Sequence, residues 1–226
     1  MPASALSFSP PRPSIFFGDF NGVKPYVVGI TGASGAIYGI RLVQVMAELG
    51  YDLAAVLSDA ARLVIQEELG VSLKSLTDKD AFESLFESQH LERISFYSNK
   101  DLTSPIASGS YPTQGMIIAP CSTGTLGHIA SGATVNLIHR AAECTLKEGR
   151  RLVVVPREAP LSAIHLENLL KLARLGVRVL PASPAFYSGA RTIQDLVDFM
   201  TGKILDSLEI SHTIYPRWTG KTVKVA

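Results

Sequence analysis

Several things are scarce in this chain, and each shortage removes a class of protein. Only two cysteines occur in 226 residues, Cys121 and Cys144. Neither a disulfide framework nor a cysteine-rich zinc site is expected from them, and a reducing, cytoplasmic setting suits the pair. No apolar run approaches the length of a membrane span, so no membrane association is expected. Charge of one sign is also lacking, with 21 basic residues against 20 acidic ones and a net charge of +1. Without a global field, nucleic acid and acidic lipid are not expected partners. No His-x-x-x-His pair is present, so no metal is assigned. His128, His139 and His165 fall in helical stretches and read as structural. There are no internal repeats and no sign of a second domain.

What is present reads as an ordinary globular protein, 46% hydrophobic and 18% charged, long enough for one large core. Met1–Lys24 is rich in Pro and Ser without a period, and reads as a flexible tail, with organelle targeting as a weaker alternative. Residues 25–226 form the domain. From Tyr26 onward, short apolar runs alternate with helical periods. "YVVGI", "DLAAVL", "RISFYS", "MIIAP", "RLVVVP" and "VRVLP" read as strands. Helices are expected over Ala36–Leu49, Asp59–Leu69, Ala81–Phe86, Cys121–Ser131, Asn136–Lys147 and Ser162–Leu175. A last helix begins near Thr192, with an apolar stripe of Ile193, Leu196, Val197, Met200, Ile204 and Leu208. Thr192 and Asp195 read as its capping pair. Alternation of this kind implies right-handed crossovers and a parallel sheet covered on both faces. The fold class is therefore α/β: one Rossmann-like (flavodoxin-like) three-layer domain around a central parallel sheet. Such sheets bind ligands beyond the C-terminal ends of their strands.

Three strand-end motifs stand out. "TGASG" sets Gly32, Ala33, Ser34 and Gly35 between strand and helix, where small residues let a ligand approach backbone N–H groups. It lacks the Gly-Lys-Ser/Thr of an ATP loop and the glycine spacing of a dinucleotide loop. Alone it could equally be a tight packing turn. "CSTGT" adds Ser122, Thr123, Gly124 and Thr125 at a second helix start, and Ser58 opens a third. Each could be a plain N-cap, but together they suggest one phosphorylated ligand gripped from several sides. "VPREAP" brackets Arg157 and Glu158 with prolines. A fixed Arg suits bidentate phosphate contact, and a poorly solvated Glu could shuttle protons. The alternative is a surface ion pair of little worth. Glu67 and Glu68 end a helix where its dipole disfavours acids, a mild hint that one has a task. Arg140, Lys147, Tyr187 and Lys203 are scattered, and spacing does not bring them together.

"GITGASGAIYG", "APCSTGTLGHIASG", "NLIHRAAECTLKE", "LVVVPREAPLSAIHLENLLKL", "PASPAFY" and "PRW" appear in that order. The set resembles the UbiX-type flavin prenyltransferases, within the homo-oligomeric flavin-containing Cys decarboxylase-like proteins, from about Tyr26 to Trp218. The resemblance implies binding of reduced FMN and dimethylallyl monophosphate. It implies joining of the dimethylallyl group to flavin N5 and C6, and prenylated FMN as product for a UbiD-type decarboxylase. By motif, Gly32, Ala33, Ser34, Ser58, Ser122, Thr123, Gly124, Thr125 and Arg157 would hold FMN. Arg140, Lys147, Tyr187, Lys203 and Glu158 would surround the prenyl phosphate. Ser34 and Glu68 would handle protons near the flavin, Glu158 would protonate the leaving phosphate, and Trp218 would offer a π face. The family assembles as a dodecamer with sites between subunits, so neighbours would supply some of these groups. Many members carry Arg where Lys203 stands; Lys keeps the charge and loses the fork.

The expected chemistry suits the composition. A monophosphate is a poor leaving group, and no Asp-rich diphosphate motif is present, so Arg, Lys, Tyr and an acidic Glu must neutralise it. With the flavin as nucleophile, Cys121 and Cys144 read as small buried residues. A related alternative is an FMN-dependent decarboxylase of cysteine substrates, but "PASPAFY" stands where that group carries a "PASANT"-like motif. A non-catalytic flavin-storage protein would not need Glu158, Glu68 or Lys203.

Overall fold

Continuous apolar runs become strands here because both faces of each are covered. The computed structural model describes residues 23–75, 78–218 and 220, so residues 1–22 of the expected tail lie outside the described residues. The strands are β1 (Tyr26–Ile30), β2 (Leu53–Leu57), β3 (Ile94–Ser98), β4 (Gly115–Cys121), β5 (Arg151–Pro156) and β6 (Arg178–Val179). Every residue of β1, β2 and β4 is buried, the pattern of central parallel strands. The helices are α1 (Ala36–Glu48), α2 (Asp59–Leu69), α3 (Lys79–Glu83), α4 (Ser88–Leu91), α5 (Thr123–Ser131), α6 (Leu137–Lys147), α7 (Ala163–Arg174) and α8 (Ile193–Ser207). All strand pairings are parallel, and the sheet order is β3-β2-β1-β4-β5-β6. This is the doubly wound order expected of a Rossmann-like fold.

Alternate strand residues feed two cores. Val28 and Ile30 of β1 join α1, α2 and α8 on one face, while Val27 joins α5, α6 and α7 on the other. The chain leaves β1 toward β2 on one side, and β4 pairs on the other. The crevice between the ends of β1 and β4 is thus the topological switch point, where such sheets take ligands. "TGASG" follows β1 and "CSTGT" follows β4, so the fold sets both motifs there.

Three elements differ from the sequence expectation by more than one residue at an end, and one expected core residue is exposed. Cys121 closes β4 instead of opening α5, because the helix is capped by Ser122. The expected helix over Ala81–Phe86 begins earlier and stops at Glu83, and α4 follows separately. The expected strand "VRVLP" shortens to Arg178–Val179, at the sheet edge with one neighbour only. Ile193 leaves the apolar stripe of α8 and is 76% exposed. It is the first residue of that helix, and the Arg41–Asp198 ion pair (2.7 Å) and the α8 side chains packed with α1 all lie more than a turn further on.

Candidate functional site

A buried hydroxyl joins the two loops of the switch point. Thr31, the residue before Gly32, is 1% exposed. Its Oγ1 donates to the Pro120 carbonyl at 2.7 Å and accepts from the Ser122 N–H at 2.7 Å. Its own N–H donates to the same carbonyl at 3.2 Å. The turn after β1 and the turn after β4 are therefore one hydrogen-bonded unit. Gly32 lets α2 close over that unit, since a Cβ there would run into the Ala60 side chain.

The two helix starts at this crevice differ. The turn after β1 is expected from its sequence to offer its N–H groups to a ligand, but Glu68 takes two of them. Its carboxylate accepts from Gly35 N–H at 2.9 and 3.0 Å and from Ala36 N–H at 2.9 Å. This resolves the acid at the wrong end of α2: unfavourable for its own helix, Glu68 lies at the positive end of α1. The start of α5 is open. Ser122 Oγ accepts from Thr125 N–H at 3.3 Å and donates to Thr125 Oγ1 at 3.1 Å, leaving the Thr125 hydroxyl proton to point elsewhere. Among the described residues, the N–H groups of Thr123 and Gly124 and the Thr123 hydroxyl have no protein partner. A Cβ at Gly124 would meet nothing within 4 Å. An anionic ligand group fits α5 and is shut out of α1.

Arg157 crosses to this unit from the end of β5. Its Nε donates to the Ser34 carbonyl at 3.1 Å, and its two terminal nitrogens make no hydrogen bond among the described residues. Glu158 does not pair with it. Its Oε1 accepts from Ala159 N–H at 3.0 Å, in the exposed loop. Ala33 is buried, and Ser34 is exposed at the rim. Ser58 caps α2 by accepting from Ala61 N–H at 3.0 Å, and its proton stays available. Burial pushes the Cys121 thiol up to about 12, so it is a neutral core group at neutral pH. Donors, hydroxyls and an Arg fork around an open helix start fit the phosphate end of FMN beside an exposed serine rim.

The candidate substrate residues have other partners or positions in the single chain. Lys147 ends α6 and pairs with Glu148 at 2.7 Å, just before Arg151 opens β5; it is at the opposite end of the sheet from Arg157. Arg140 donates from Nε to the Ala107 carbonyl at 2.9 Å and pairs with Glu143 at 2.6 Å. Lys203, far along α8, is 3.7 Å from Asp206. Trp218 is 56% exposed. Tyr187 lies in the short 3₁₀ turn Phe186–Ser188.

The histidines have local tasks. His165 completes a capping box with Ser162 at the start of α7. The His128 and His139 rings stack at 4.5 Å, and His128 Nδ1 contacts the Gly124 carbonyl at 2.8 Å. Burial and the neighbouring His128 push His139 down to about 4, so it is neutral at pH 7. Sequence reasoning missed Thr31 and Asp206. A Thr between an apolar strand and a glycine was the one available signal for the first; Asp206 had none.

The Flavoprotein family model matches residues 19–205. The flavin prenyltransferase UbiX of Halalkalibacterium halodurans is 53% identical over 193 residues, covering 85% of this chain and 92% of the relative. The crystal structure of AnUbiX with FMN and dimethylallyl pyrophosphate superposes with a TM-score of 0.77 at 36% identity, covering 88% of this chain and 98% of that one. A dodecameric FMN-dependent UbiX-like decarboxylase from Escherichia coli gives a TM-score of 0.75 at 38% identity, covering 87% of this chain and 100% of that one.

Proposed function

This chain belongs to the Flavoprotein family and, within it, to the UbiX-type flavin prenyltransferases, and from that premise we propose that it joins the dimethylallyl group of dimethylallyl monophosphate to reduced FMN. The observation that carries the reading is the high identity to flavin prenyltransferases over most of the chain. When bound, reduced FMN supplies the electron-rich N5 and C6 that accept the allyl group.

The work of this chain is to hold, neutralise and move protons. Thr123, Gly124 and Thr125, with Ser122 and Ser58, hold the FMN phosphate end at the open start of α5. Gly32, Ala33 and Ser34 line the ring side, and Arg157 clamps the loop from Ser34. Ser34 and Glu68 handle protons beside the ring. Charge growing on the departing phosphate is met by Arg140, Lys147, Lys203 and the Tyr187 phenol, and Glu158 protonates it. Removing any one of these groups costs about 3 kcal/mol in the transition state, or on the order of a hundredfold in rate. Trp218 presents a π face to the allylic cation.

The wide separation of Lys147 and Arg157 within one chain supports a homo-oligomer whose sites lie between copies, a dodecamer. The product serves a UbiD-type decarboxylase in the cytoplasm. Among the described residues no helix is long and apolar enough to cross a membrane. The test is anaerobic incubation with reduced FMN and either dimethylallyl monophosphate or pyrophosphate, followed by mass spectrometry of the released flavin. The flavin is expected to gain one dimethylallyl group. An unchanged flavin mass with both donors overturns the assignment.

A further inference from the structure

One carboxylate gathers the chain after α8. Asp206 Oδ2 accepts from the Tyr215 hydroxyl at 2.8 Å and from Arg217 Nη1 at 2.7 Å. Its Oδ1 lies 2.7 Å from Arg217 Nη2 and 3.1 Å from His212 Nε2. Lys203, one turn earlier on α8, is 3.7 Å from Oδ2. The Arg217 guanidinium also sits 5.0 Å from the Tyr215 ring centre. That ring packs on Phe199 at 5.0 Å and over Gly202, where any Cβ would run into it. The His212 side chain is fully enclosed. Burial opposes the charge on Asp206, but the donors from Arg217, Tyr215 and His212 outweigh it and hold the carboxyl at about 2. The group is an anion at neutral pH.

The residue after this knot is Trp218, and the cation before it is Lys203. We propose that Asp206 is a positioning residue, which fixes the segment carrying Trp218 and holds it together with Lys203 at one end of α8. The proposal rests on the reading that Trp218 and Lys203 meet the prenyl phosphate. Asp206 itself touches neither substrate nor flavin. Without its charge, Lys203 and Arg217 become two cations with no anion between them, and the segment loses the centre of its hydrogen bonds. Arg217 then cannot keep the geometry that sets the indole.

Trp218 is the only tryptophan in the chain, so intrinsic fluorescence reports this segment directly. The full-length oligomer is compared with Asp206→Asn and Arg217→Gln. Both variants are expected to bind FMN as the unaltered protein does. Their Trp218 emission is expected to become more quenchable by acrylamide; the KM for dimethylallyl monophosphate should rise about tenfold, because Lys203 also holds the phosphate before reaction, and kcat should fall as well, because Lys203 and Trp218 meet charge that develops in the transition state. kcat at saturation should fall less than kcat/KM. Should Asp206→Asn fail to assemble, Arg217→Gln and Tyr215→Phe carry the same expectation, each removing one tie. Unchanged quenching and unchanged KM overturn the proposal. So does a loss of FMN affinity in step with the KM change, which would mark a general fold defect. If the unaltered protein forms no adduct, the proposed function fails, while the fluorescence comparison still decides whether Asp206 holds the segment.

Discussion

α1 and α7 are nearly equal in length, 13 and 12 residues, and both carry apolar side chains through most of their turns. α1 buries Ala36, Gly39, Ile40, Leu42, Val43, Val45, Met46 and Ala47 against the sheet, α2 and α8. α7 buries Leu172 alone, and Ile164, Leu166 and Leu170 are each more than half exposed. A fully buried aliphatic side chain contributes roughly 1.5–3 kcal/mol, so α7 forgoes several times that amount within one chain. An apolar face of this kind marks an interaction site. The candidate site divides the same way. The half assigned to flavin is joined by Thr31, Glu68 and Arg157 inside one chain, while Arg140 is held by Ala107 and Glu143, and Lys147 by Glu148 at the opposite end of the sheet. One face of the molecule is complete within the chain, and under the proposed function the other is completed when copies meet.

The strongest way to break this contrast is to charge the exposed stripe of α7. Leu166→Glu with Leu170→Glu is expected to reduce the assembly to small species in analytical ultracentrifugation. Adduct formation should then fall below detection. The single chain should keep its circular dichroism, and its stability should move by only about 0.5 kcal/mol per site, because both side chains are exposed. An intact assembly carrying both charges would show that α7 faces solvent, and the contrast between the two helices would have no functional meaning.

A smaller effect is expected at the completed half. Thr31→Val keeps the shape and removes the hydroxyl, leaving the Ser122 N–H without its acceptor. An unsatisfied donor costs about 1–3 kcal/mol when fully buried, and the lower part of that range, about 1.4 kcal/mol, applies to this partly buried N–H, so roughly tenfold weaker FMN binding is expected. Flavin titration and thermal melting measure both consequences. Undiminished FMN affinity would mean that the two loops are held by the sheet alone.

Much of this layout was readable from local pattern, and the remainder was not local. α2 runs over Asp59–Leu69 as its period indicates, and Thr192 and Asp195 form the capping box read from their spacing. Such signals act within one helical turn, where sequence distance and spatial distance agree. Thr31 meets Ser122 across 91 positions, and Gly35 meets Glu68 across 33. No window reaches that far. Glu68 left a trace because it violates a local rule at the end of α2. Thr31 and Asp206 violate none, and so passed unnoticed. The exposure of Ile193 and the stripe of α7 show the opposite limit. Periodicity tells which residues share a face, and what covers that face is decided by the rest of the fold or by another copy.

Glu68 allows the finest cut between structural and chemical roles in the completed half. Gln at this position keeps one oxygen for the Gly35 and Ala36 N–H groups but loses the charge facing the start of α1. For an exposed group, the charge–dipole term is about 0.3–1 kcal/mol, so urea unfolding should shift only slightly. FMN binding should persist, because the flavin phosphate is assigned to α5. If Glu68 also moves protons beside the ring, the rate of adduct formation should fall by roughly a hundredfold, far beyond what the stability change explains. A rate within about twofold of the unaltered protein would leave Glu68 as the cap of α1 and nothing more, since about 1.4 kcal/mol separates each decade in rate. Proton handling would then fall to Ser34, whose hydroxyl lies exposed at the same turn.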